Sequence, residues 1–128
     1  MPNITANPVH LGLGATAVVE PQFTGMAWYD AYTERHASDG IEGRLVSMYT
    51  FEKSWDVWEM HPHGSEVVLC TSGEMTLTQE RDGKASSVLL RAGDYAINEP
   101  RTWHTVDVER SATAVFITAG VGTLHRPR

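Results

Sequence analysis

The sequence predicts an all-β domain, a sandwich or barrel of short strands. Three observations carry that expectation. Apolar and polar residues alternate in short runs from Gly43 onward, as in "GRLVSMYTFE", where Leu45, Ser47, Tyr49 and Phe51 stand against Val46, Met48 and Thr50. Pairs that favour turns, such as Lys53-Ser54, Gly64-Ser65, Ser72-Gly73 and Asp82-Gly83, punctuate the runs. The intervals between these breaks are those of a sandwich or barrel.

Taken in order, the first 43 residues are the least regular. "ATAVVE" reads as a strand, and "AWYDAYTERHA" as a short amphipathic helix with Trp28 and Tyr32 on one side. After Gly43 come the strand at "GRLVSMYTFE", then "WDVWEMHPH", "EVVLCT", "EMTLTQE", "ASSVLL", "YAIN", "WHTVDV" and "ATAVFIT". Residues 1–43 are expected to be an N-terminal segment of the same domain, 44–118 the barrel, and 119–128 a solvated C-terminal tail. With 128 residues, the chain is long enough for one domain with a substantial core.

Composition narrows the partners. Ten Lys and Arg against 16 Asp and Glu give a net charge of −6, which works against binding a nucleic-acid backbone or an anionic membrane. No apolar run is long enough for a membrane helix, and Met1 to Leu13 lacks the pattern of a signal peptide. A cytoplasmic protein is expected. The single cysteine, Cys70, has no partner for an intramolecular disulfide, which agrees with a reducing compartment.

The stretch with the most chemistry is "WEMHPHGSEVVLCTSGE". With Gly64-Ser65 as a two-residue hairpin loop, His63 and Glu66 become a cross-strand pair, and His61 shares their face because side chains alternate along a strand. Such a face could chelate a metal, and His104 in "EPRTWHTV" is the strongest candidate for a fourth ligand. His10, His36 and His125 fall outside the strand series and are weaker choices. The competing reading is that His61 and His63 flank Pro62 in a solvated loop, with Glu66 pairing to one of them for well under about 1 kcal/mol. A His-x-His tripeptide alone does not choose between the two.

"HPHGSEVVLCTSG" and "GDYAINEPRTWH" resemble the two motifs of the cupin superfamily. The first has His-x-His, a Glu, and then Gly73 after six intervening residues; the second places Gly93 and His104 eleven positions apart. The resemblance covers roughly Arg44 to Thr118. It departs from the family at three points. Only two residues separate His63 from Glu66 where the family has three or four, Pro100 stands one place late, and Arg101 replaces the second glycine. What the resemblance implies is a jelly-roll barrel holding one divalent metal on His61, His63, Glu66 and His104, in a chain expected to form a homodimer.

Three imidazoles and a carboxylate suit Fe, Mn, Ni, Co, Cu or Zn without choosing among them. A small oxygenated substrate could occupy the open positions for dioxygenase, isomerase, lyase or cyclase chemistry. Glu59, on the face of His61, is the first candidate for a general acid or base, with a salt bridge or hydrogen bond to a ligand imidazole as the alternative. Tyr95 and Tyr49 are candidate donors to substrate oxygens, against the reading of both as packing, and Arg101 is a candidate anchor for a substrate carboxylate or phosphate. Trp58 and Trp103 have the parity of the outer surface, and Cys70 points inward as a small buried residue. A non-catalytic barrel that binds a metal or small ligand stands as the alternative to an enzyme.

Overall fold

The computed structural model describes residues 1–128. In chain order the elements are β1 (Val9–Gly12), β2 (Thr16–Val19), helix α1 (Ala27–Arg35), β3 (Arg44–Phe51), β4 (Val57–Met60), β5 (Glu66–Arg81), β6 (Lys84–Arg91), β7 (Tyr95–Asn98), β8 (Trp103–Asp107), β9 (Ala112–Thr118) and β10 (Leu124–Pro127). A short 3-10 stretch, Ala37–Glu42, joins α1 to β3. No helix is long and apolar enough to cross a membrane.

All strand pairings are antiparallel, and β5 organises them. Its first half pairs with β7 and β9, and β9 continues through β3 and β1 to β2. Its second half pairs with β6 and β8, and β8 continues through β4 to β10. One strand therefore runs through both layers of a jelly roll.

The two runs "EVVLCT" and "EMTLTQE" are one strand, and Ser72-Gly73 is a bulge instead of a turn. The register with β9 slips between Cys70 and Ser72. Inward-facing positions accordingly change from even numbers, Val68 and Cys70, to odd ones, Met75 and Leu77. Gly73 carries the bulge at φ 72°, and a Cβ there would overlap the carbonyl oxygen of Ser111. The extra residue lets one strand turn the corner while keeping its apolar side inward.

That apolar side is the core: Val68, Cys70, Met75, Leu77, Leu90, Val106, Ala112, Ala114 and Phe116. Burial stabilises each of the larger side chains by about 1.5–3 kcal/mol. It also pushes the Cys70 thiol up from its ordinary pKa, which fits a packing role.

The expected N-terminal strand and helix are present as β2 and α1, with β1 as an additional strand. Helix α1 is fastened to β1 by His10, which is 2.6 Å from the Tyr32 hydroxyl on one ring nitrogen and 2.6 Å from Asp39 on the other. His36 stacks on His10 at 3.7 Å and contacts the buried Glu20, which also pairs with Arg35 at 2.7 Å.

Two expectations need correction. Residues 119–128 are not a free tail, because Leu124–Pro127 pairs along the whole of β4. The hairpin drawn across Gly64-Ser65 is absent as well. β4 pairs with β8 and β10 and not with β5, so residues 61–65 form a loop that crosses between the two layers.

Candidate metal centre

Strand register alone sets up two rows of polar side chains on the inner surface. On one layer, His125, Glu59, His104 and Gln79 are directly opposed across β10, β4, β8 and β5. On the other, Thr118, Glu66 and Asn98 are opposed across β9, β5 and β7. Opposed residues share a face with Cβ atoms about 4.5–5.5 Å apart, so each row is continuous. Gln79 joins the rows by donating to Asn98 Oδ1 at 2.7 Å.

Glu66 is gripped from both sides. Thr118 donates to Oε2 at 2.6 Å and Asn98 to Oε1 at 3.0 Å. The carboxylate then faces His61 Nε2 and His104 Nε2, each 3.2 Å from one of its oxygens. Burial by itself would raise the pKa of this carboxyl, but the contacts with His104 and His61 outweigh it and hold the group well below the usual carboxylate range. His61 shows the converse. Burial favours its neutral form, and the contact and charge of Glu66, with the charge of Glu59, raise its pKa in spite of that.

The far side of each imidazole fixes what the near side can be. Thr123 donates its hydroxyl proton to the Gly120 carbonyl at 2.7 Å, so its oxygen is free to accept from His61 Nδ1 at 2.8 Å. The Thr102 carbonyl, 3.4 Å from His104 Nδ1, can only accept. These partners place a proton on Nδ1 of both rings, so each Nε2 facing the carboxylate either carries a second proton, as the imidazolium that lowers the Glu66 pKa, or is free to take a metal. Neither Nε2 has a hydrogen-bond partner, and both are buried. Two acceptors held 3.2 Å from a negative charge require a cation between them, either a proton or a metal.

Glu59 completes the cluster. Its Oε1 is 3.9 Å from both Nε2 atoms, and its side chain is 26% exposed, the one member open to solvent. His61, His104 and Glu59 have ligand atoms close enough together to hold a metal ion. Trp55, whose ring lies 6.0 Å from that of His104, has a buried Nε1–H without a partner. Tyr49 and Tyr29 meet hydroxyl to hydroxyl at 2.6 Å. Burial first, and the charge of Glu59 among the lesser causes, raises both phenol pKa values.

The structure thus brings together His61, Glu66, His104 and Glu59, and leaves out three residues expected from sequence. His63 is exposed in the crossing loop with its ring against Gly122, because without the hairpin it has no cross-strand place beside Glu66. Tyr95 has the opposite parity from inward-facing Asn98 and is 65% exposed on the outside of β7. Arg101 is exposed at φ 65°, and only its backbone touches the site, donating to the His61 carbonyl at 3.1 Å. Trp58 and Trp103 do face outward, where Arg126 lies over both rings.

The signal for the correct register lay in the spacing. Counting from His61, four residues precede Glu66, within the family's three or four, and Glu59 then occupies the place of the first histidine.

The cupin-domain family model matches residues 47–120 of this sequence, more than half of the chain. The chain belongs to the cupin family. No curated protein matches the sequence. Among solved structures, an oxalate oxidase is similar over 63% of this chain and 45% of its own, at 18% identity and a TM-score of 0.55. Oxalate decarboxylase from Bacillus subtilis, a protein with Mn(II) centres, is similar over 74% of this chain and 26% of its own, at 17% identity and a TM-score of 0.55. Hydroquinone 1,2-dioxygenase from Sphingomonas sp. TTNP3, with 4-hydroxybenzoate bound, matches 59% of each chain at 16% identity and a TM-score of 0.50. This cupin spans less than two thirds of the length of each of them. At these identities the similarity is one of fold.

Proposed function

We propose that this cupin is a metal-dependent enzyme acting on a small oxygenated molecule, with one divalent metal held by Nε2 of His61 and of His104 and by the carboxylates of Glu66 and Glu59. The observation that carries the reading is the pair of buried Nε2 atoms turned on Glu66 at 3.2 Å without a hydrogen-bond partner, a contact that calls for a proton or a metal ion between them. Two imidazoles and two carboxylates are more oxygen-rich than the three-imidazole set implied by the family motif, which moves the preference toward Mn(II) or Fe(II). Such an ion supplies Lewis acidity toward a substrate oxygen and, if redox-active, dioxygen chemistry.

The chain's own residues hold the donors in place. Thr123 and the Thr102 carbonyl fix the tautomers, and Thr118 and Asn98 orient Glu66. Tyr29 and Tyr49 are kept protonated by burial; one hydroxyl donates to the other, and the proton of the accepting hydroxyl is available to a substrate oxygen. An oxalate oxidase and a dioxygenase with 4-hydroxybenzoate bound, both similar in fold, support a substrate bearing adjacent or acidic oxygens. With its net charge of −6 the protein is not expected to take nucleic acid as a partner, and its open β2 edge, with exposed Val18 and Val19, supports homodimer formation.

Elemental mass spectrometry of untagged protein tests the reading, with His61→Ala measured beside it. About one metal per chain, lost in the variant, is the expected result. Protein that carries no metal and takes none up on reconstitution would overturn the enzyme reading and leave a non-catalytic binding barrel.

A further inference from the structure

The C-terminal segment reaches the centre twice. Thr123 accepts from His61 Nδ1 at 2.8 Å, and two residues on, His125 Nε2 lies 3.4 Å from Glu59 Oε2. The other oxygen of that carboxylate, Oε1, is the one 3.9 Å from the two buried imidazoles. Glu59 is therefore divided, one oxygen facing β10 and one facing the ligand cluster. A glutamate that is 26% exposed has water to turn toward, and nothing on β4 itself holds it inward.

The outer face of the same strands carries a matching row. Arg126 follows His125, Trp58 precedes Glu59, and Trp103 precedes His104. The Arg126 guanidinium lies 5.1 Å from the Trp58 ring and 4.5 Å from the Trp103 ring, and it pairs with Glu80 at 2.9 Å. Arg128 then fixes the end of the strand on Asp107 at 2.9 Å. Cation–π contacts of this kind contribute where an arginine is partly desolvated between rings. The pin sits directly behind the inner row His125, Glu59, His104.

We infer that β10 is part of the metal centre: His125 is a positioning residue that holds Oε2 of Glu59 so that Oε1 alone faces the ligand imidazoles, and Arg126, wedged between Trp58 and Trp103, keeps His125 in register. The inference rests on the metal reading above. It assigns the third imidazole of this centre to the carboxylate and not to the ion, and it makes an outward-facing arginine a determinant of metal affinity.

The test is Co(II) binding to the full chain, by chelator competition and by the visible spectrum of the bound ion, for the wild type, His125→Ala, His125→Gln and Arg126→Ala. Loss of a residue that orients a ligand weakens metal binding by roughly ten- to a hundred-fold. His125→Ala is expected to show that loss with altered Co(II) bands, His125→Gln to recover most of the affinity through its amide N–H, and Arg126→Ala to follow His125→Ala in direction. In a Glu59→Ala background, His125→Ala should change nothing further. His125 is 43% exposed, and unchanged urea midpoints for its variants separate this effect from unfolding. Wild-type affinity and spectrum in His125→Ala, or an equal loss without Glu59, would overturn the inference while leaving the metal site intact. A wild type that binds no Co(II) would overturn both.

Discussion

Thr118 gives its hydroxyl proton to Glu66 at 2.6 Å, and that single bond fixes the side of the carboxylate nearest His61. Thr118→Val keeps the shape and removes the bond. It is expected to weaken Co(II) binding about ten-fold or more and to cost about 1 kcal/mol in urea unfolding. His63→Ala is the contrasting case. The ring is exposed and touches no other donor, so metal content should stay at the wild-type level where His61→Ala and His104→Ala lose it. Measured together by elemental mass spectrometry, the three variants decide between the His-x-His reading and the Glu59-x-His61 one. The two readings diverge because the tripeptide shows only which residues are chelators. Which of them face inward depends on whether residues 61–65 form a hairpin or a crossing loop, and both fit the same five residues.

At the scale of the element, the bulge in β5 makes the sharpest demand on a residue type. Gly73→Ala would force a side chain into a left-handed conformation and against Ser111, and is expected to destabilise the fold by about 2 kcal/mol or more, read from the urea midpoint. The sequence suggested a turn there, since Ser-Gly serves both purposes; the change of inward parity from Cys70 to Met75 was the mark of a bulge. Strands β3 and β9 were legible because each alternates over seven residues or more. β10 was not. Its four residues, "LHRP", carry no alternation, and their strand conformation comes from pairing with β4 more than sixty residues earlier. His125 was hidden for the same reason, as was its meeting with Glu59.

For the molecule as a whole, helix α1 and β3 close over one another through Tyr29 and Tyr49, and this has a signature in alkaline solution. Both phenols have raised pKa values in the fold, burial being the main cause, whereas an unfolded chain ionises its tyrosines near about pH 10. Their contribution to stability is full below that pH and is lost as pH rises above it, because the unfolded state then releases protons that the folded state retains. Urea midpoints should fall steeply above about pH 10, and less steeply for Tyr49→Phe. The passage of β5 through both layers has a consequence for the order in which the chain assembles. Its second half meets β6 across the tight Asp82-Gly83 turn, a contact that closes quickly, whereas its first half must wait for β9, some forty residues further on. The proposed ligands depend on those late closures, since Glu66 lies at the start of β5 and Glu59 on a strand held by the C-terminus. A nascent barrel with its β5–β6 hairpin already formed therefore has no place for an ion. Metal capture at the proposed centre would report the last steps of folding and secure the finished barrel without guiding the route to it.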